Sequence, residues 1–135
     1  MTLFHILAAA AFASAALYVL KRPFQSQTSP ATGRWRIPAL ICAAFTAWTV
    51  YTLSVDPPLT FWTNHTTNAT GNQVWFDLLM SVSMAFVVLM PRARALNMAL
   101  LPWAIFVVVT ASIGLFAMWA RVLFLEEKQS GSQSA

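Results

Sequence analysis

Residues Met98–Leu125 read MALLPWAIFVVVTASIGLFAMWARVLFL, with Arg121 as the one charge in the run. A helix of this length is about 40 Å long, more than the roughly 30 Å hydrocarbon core of a bilayer requires. The run therefore predicts a membrane-spanning helix over about 98–124. Pro102 near its start allows a bend, which neighbouring helices in a bundle can accommodate. Thr110 and Gly114 sit four residues apart in its middle, the small-residue spacing that lets helices approach closely.

Three similar stretches precede it. Leu3 to Leu20 is interrupted in its polarity only by His5 and Ser14, and ends at Lys21-Arg22-Pro23, where charge and proline stop a buried helix. Ile37 to Val55 opens after Arg34-Trp35-Arg36 and ends at Asp56-Pro57-Pro58, whose prolines enforce an extended exit. Val74 to Met90 carries Asp77 and ends at Pro91-Arg92. It is short for a span, so Asn72 and Gln73 are expected to join it, with Asn72 as N-cap. No period-2 alternation suggests strands, and no repeat recurs at a fixed period. The expectation is an all-α membrane protein, a four-transmembrane-helix bundle with helices at about 3–20, 37–55, 73–90 and 98–124. These form a single domain over 1–128, followed by a disordered polar tail over 129–135 (QSGSQSA).

Composition agrees. Apolar types make up 59% of the 135 residues and charged types 9%, against about 25% charged in a soluble domain. A net charge of +4 raises the question of nucleic acid, but the basic residues flank the apolar runs, which is a membrane orientation pattern and excludes that reading. The single Cys42 rules out an intrachain disulfide and a cysteine metal site.

Six of the eight basic side chains, Lys21, Arg22, Arg34, Arg36, Arg92 and Arg94, lie in the first and third connections; the second, Asp56 to Gln73, has none. By the positive-inside rule those two connections face the cytoplasm. With four spans, both termini and the Asp56–Gln73 loop then lie outside. Tyr18, Trp35 and Trp103 fall at the inner boundary and Tyr51, Trp62, Trp75 and Trp119 at the outer one, as aromatic belts do. Ala13-Ser14-Ala15 resembles a signal-peptide cleavage site, but no basic residue precedes Leu3, so the first run reads as a retained span.

Few residues offer chemistry. Asp77 is an ionisable group inside a span, where it costs energy unless it snorkels or finds a partner. With the fourth helix ending outside, Arg121 would share its depth, which makes Asp77 and Arg121 a candidate structural ion pair. His5, Asp56 and His65, with Asp77, form a weak outer polar cluster of zinc- or iron-compatible types, without a metal-ligand spacing. Asn64-His65-Thr66 and Asn68-Ala69-Thr70 match the glycosylation sequon, a common pattern in loops rich in Thr and Asn. Alanines at four-residue spacing in the first two runs give further close-packing faces.

Phe61-Trp62, Asp77-Leu78-Leu79, the Arg92/Arg94 connection, Trp103 and the late Arg121 together resemble an uncharacterised family of small bacterial membrane proteins, known only as a domain of unknown function. The likeness covers about residues 37–125, and the chain departs from it in having Pro91-Arg92-Ala93-Arg94 without an acidic neighbour. It implies a bacterial source and supports the spans, but brings no activity; the expected location is the bacterial inner (plasma) membrane, multi-pass. No catalytic, cofactor or metal motif stands out, so the reading is of a non-enzyme without cofactor. Its partners would be the lipid bilayer and a second copy or another membrane protein, and it would act by helix packing as a structural or accessory component. A small oligomeric transporter or channel using Asp77, and an outer-surface membrane enzyme using His5, His65 and Asp77, are the alternatives.

Overall fold

The structure, a computed structural model, describes residues 2–21, 23, 32–57 and 59–133. Arg22, Pro58 and residues 134–135 of the expected tail lie outside the described residues. Among the described residues the regular structure is helical throughout: α1 (Leu3–Lys21), α2 (Arg36–Val55), α3 (Thr60–Thr66), α4 (Ala69–Ala95), α5 (Leu100–Thr110) and α6 (Ser112–Gln133). Three of these, α1, α2 and α4, are long and apolar enough to cross a membrane. The chain divides into two compact units, Met1–Ala31 and Thr32–Ala135.

The first unit holds α1, 19 residues with Lys21 in its last turn. It is a span-length apolar rod, as its sequence predicts.

In the second unit the element that organises the others is α6. It packs against α2, α4 and α5, and Met118 and Val122 on it are fully buried. Leu89 and Ala93 of α4 complete that core, with Trp103, Leu100, Met98 and Trp119 packed around it. In the candidate spans α2 and α4, by contrast, 6% of the span window is buried. The expectation of one helix over 98–124 fails at Ala111, which has φ 49° and ψ −112°. There the chain reverses. Gly114, which on a straight helix would stand about 10 Å along the axis from Val107, instead lies so close that an added Cβ would fall 2.8 Å from the Val107 Cα and 2.9 Å from the Phe106 carbonyl carbon. α5 and α6 are thus the two arms of a helical hairpin.

The reversal is locally satisfied. The Ala111 amide donates to the Val107 carbonyl (2.7 Å) and the Leu115 amide to the Ala111 carbonyl (3.1 Å). The Thr110 hydroxyl donates to the Phe106 carbonyl (2.7 Å) and accepts from the Gly114 amide (2.9 Å), filling one of the orphan donors at the start of α6. The Thr110–Gly114 spacing, read as a contact face between helices, is here the hinge of one hairpin.

α4 also departs from expectation. It begins at Ala69, with Asn68 rather than Asn72 as N-cap and its Oδ1 accepting from the Gly71 amide at 2.7 Å. It runs through Pro91 to Ala95. Proline removes one hydrogen bond near a helix end, and the turn beyond it is held by the buried Ala93. The helix closes where the chain can turn: Asn97 adopts φ 54°, the Met98 amide donates to the Ala93 carbonyl and the Asn97 amide to the Arg94 carbonyl. This is a Schellman closure with asparagine in the left-handed position. The stretch over 129–133, expected to be disordered, continues α6 as helix, with the Ser130 hydroxyl on the Glu126 carbonyl. Extending a formed helix costs far less than starting one.

Candidate functional site

Folding back brings the C-terminal end of α6 to the end of the bundle where α2 begins and α4 ends. Arg92 grips Glu126 with two parallel hydrogen bonds, Nε to Oε1 at 2.9 Å and an Nη nitrogen to Oε2 at 2.7 Å. Planar guanidinium and carboxylate match in this bidentate form. Glu127 Oε2 accepts from the Gly33 amide at 2.8 Å. Gly33 has φ 82°, a conformation glycine takes without steric cost. The two neighbouring glutamates therefore hold α6 to α4 on one side and to the turn before α2 on the other.

Aromatic contacts extend the cluster. Trp35 meets Phe124 edge-on at 5.6 Å. The Arg36 guanidinium carbon lies 5.9 Å from the Trp35 ring and that of Arg121 lies 5.8 Å from the Phe124 ring. Further along, the Cys42 thiol approaches the Ile113 carbonyl at 3.5 Å. α2 is thus antiparallel to α6, whereas the Arg92–Glu126 pair and the Leu89/Ala93–Met118/Val122 core set α4 parallel to it.

This geometry separates Asp77 from Arg121. Asp77 lies fifteen residues before Arg92 on α4, about 22 Å along its axis, whereas Arg121 is five residues from the Glu126 that reaches Arg92. The expected ion pair is not formed; the one ion pair among the described residues is Arg92–Glu126. The pairing presumed that the last helix ends beside the start of α4, and the reversal at Ala111 sends it the other way. Asp77 is exposed, and lies about 12 Å along α4 from the helix start.

At the opposite end, α3 lies against the start of α4. An added Cβ on Gly71 would fall 2.4 Å from the Asn64 carbonyl oxygen, so glycine is what lets the two helices touch there. Trp75 on α4 meets Phe61 at 5.3 Å, His65 at 6.0 Å and Trp62 at 6.4 Å. His65 Nδ1 is 2.7 Å from the Phe61 carbonyl; a carbonyl only accepts, so this nitrogen donates. His65 is thereby an aromatic, backbone-bound member of the cluster. Asp56 follows α2 as its C-cap, its amide donating to the Thr52 carbonyl. His5 belongs to the first unit, where Nδ1 bonds the Thr2 hydroxyl. Among the described residues no three His, Cys, Asp or Glu side chains are grouped to hold a metal.

The glutamates were the signal that sequence reasoning missed. Two adjacent acids near the end of a strongly basic chain have a reason to sit with the arginines, but which arginine they reach depends on the hairpin. Comparison with known family models, curated proteins and solved structures finds no match.

Proposed function

We propose that this protein is a structural or accessory component of a bacterial inner membrane, and that it acts by helix packing with a second copy or another membrane protein. One observation carries the reading: the buried residues of the second unit gather around α6, while the span-length α2 and α4 keep most of their apolar surface outward. In a bilayer, association of such faces is driven by close packing rather than by release of water.

The orientation that accompanies this reading has three spans and a re-entrant hairpin. α1, α2 and α4 cross, and α5 enters from the basic side and α6 returns to it. Arg34, Arg36, Arg92, Arg94 and Lys128 then all lie in the cytoplasm, which keeps the positive-inside rule with an odd number of crossings. The N-terminus and α3 lie outside and the C-terminus inside, in place of two outer termini. α5 at 11 residues is too short to cross alone, and irregular backbone at such depth is tolerated where protein covers it. Trp62 and Phe61 on α3 suit the headgroup level.

Cross-linking in native membranes, followed by purification in mild detergent, tests the packing role. A cross-linked oligomer or a recurrent partner is expected, and a monomer with neither would overturn it. Single cysteines at Thr63 and Lys128, in a Cys42→Ala background, test the orientation: an impermeant thiol reagent should label them from opposite sides. Labelling from the same side would restore the four-span arrangement.

A further inference from the structure

The end of the bundle that carries the α6 C-terminus holds six basic side chains, Arg34, Arg36, Arg92, Arg94, Arg121 and Lys128, against two glutamates. Both glutamates are engaged, Glu126 with Arg92 and Glu127 with the Gly33 amide. Arg36 and Arg121 are exposed and, among the described residues, have no carboxylate within ion-pair distance. They are instead placed by aromatic rings. Arg36 stands over Trp35, Trp35 meets Phe124, and Arg121 stands over Phe124, so two guanidinium groups flank one continuous aromatic platform between α2 and α6. Just beyond the platform, towards the middle of the bundle, α2 turns Ile37, Leu40 and Ile41 outward.

We infer that this platform is a binding site for an anionic phospholipid, its headgroup lying on the Trp35–Phe124 rings between the Arg36 and Arg121 charges and its acyl chains along α2. Guanidinium is weakly hydrated and matches phosphate oxygens in a fork. Stacking on a ring limits the conformations the side chain loses on binding. Cations at a boundary with an apolar face running away from them fit an amphiphile; a free phosphate would use only the cations. Basic sites between helices on the cytoplasmic side are where anionic headgroups are bound. The inference rests on the membrane reading above, which places Arg121 about one and a half turns inside the level of Glu126.

The test uses the full chain in mild detergent, with phosphatidylglycerol or phosphatidylcholine of matched acyl chains as probes and bound lipid counted by native mass spectrometry. The wild-type protein should retain phosphatidylglycerol severalfold more than phosphatidylcholine, and excess inorganic phosphate should leave it bound. Arg36→Gln and Arg121→Gln should each weaken phosphatidylglycerol binding about fivefold. Arg94→Gln, the same charge change on α4 across α6 from the platform, should weaken it far less. Equal retention of the two lipids by the wild-type protein overturns the site whatever the variants do. So does displacement by inorganic phosphate, or an Arg94→Gln loss as large as that of Arg121→Gln. Resistance of the protein to alkaline carbonate extraction from membranes is scored alongside. A carbonate-resistant protein without lipid preference removes only the lipid site, whereas an extracted one removes the membrane reading with it.

Discussion

α4 and the α5–α6 segment are both long, largely apolar and furnished with a proline, yet α4 is a single rod of 27 residues and the other folds in two. The proline does not explain the difference. Pro91 lies inside α4 and the helix continues past it, whereas Pro102 sits in the first turn of α5, where its missing amide costs nothing. The break comes nine residues later at Ala111, with no proline near it. What distinguishes the second segment is TASIG, residues 110–114: a threonine able to bond across the turn and a glycine without a side chain where the arms meet. The lesson is that an apolar run reports its preference for a non-aqueous environment. Its straightness is decided by whether the two halves find a better contact with each other and with their neighbours than with their surroundings.

The hairpin can be broken most directly at Gly114. Gly114→Ala places a methyl against the backbone of Val107 and Phe106, atoms that cannot rotate away, and should destabilise the fold by about 1–3 kcal/mol net of its better helix propensity. Spin labels at Leu101 and Lys128, in a Cys42→Ala background, check the geometry. They should lie within about 20 Å in the hairpin, given a helix spacing of about 10 Å, and move towards the roughly 40 Å of a straight helix when it opens. A wild-type distance near 40 Å would refute the fold-back itself.

Smaller effects sharpen the contrast. Asn97→Val puts a β-branched residue at φ 54° in the turn after α4 and should cost about 1–2 kcal/mol in thermal unfolding, by loss of the left-handed closure. Ala111→Gly has the opposite sign: glycine takes a positive φ without strain, so a gain of about 1 kcal/mol is expected, and a loss would mean that Ala111 is not strained. Smallest is Glu126→Gln. The Arg92–Glu126 pair is well formed but exposed, so its removal should lower stability by less than about 1 kcal/mol and the loss should shrink with salt.

The parts of the fold legible in advance were those set by side-chain composition within one stretch. α1 and α2 fall within a residue of their expected ends, and the core of α4 lies where apolar density places it. The extra turns of α4 depend on Asn68 and Asn97, residues equally at home in a loop. The candidate site was less legible. Pairing Asp77 with Arg121 followed soundly from a straight last helix, and one reversed residue, Ala111, moved Arg121 to the other end of the bundle. His65 was visible as a polar group of the connecting loop; that its ring would join Phe61, Trp62 and Trp75 required α3 to form and lie on α4.

The amino-acid sequence by itself determined that this chain is helical and largely apolar, where its three span-length helices lie, and that its charge gathers at the ends of those helices. Each of these is a sum over side chains in a local window, and neither hydration nor helix formation needs a distant partner. Tertiary structure alone decided the reversal at Ala111, the burial of α6 in place of more apolar helices, and the seating of Glu126 and Glu127 against Arg92 and Gly33. Those depend on backbones approaching to contact at Gly114 and on which helix ends meet, distances set between segments and encoded in no single one of them.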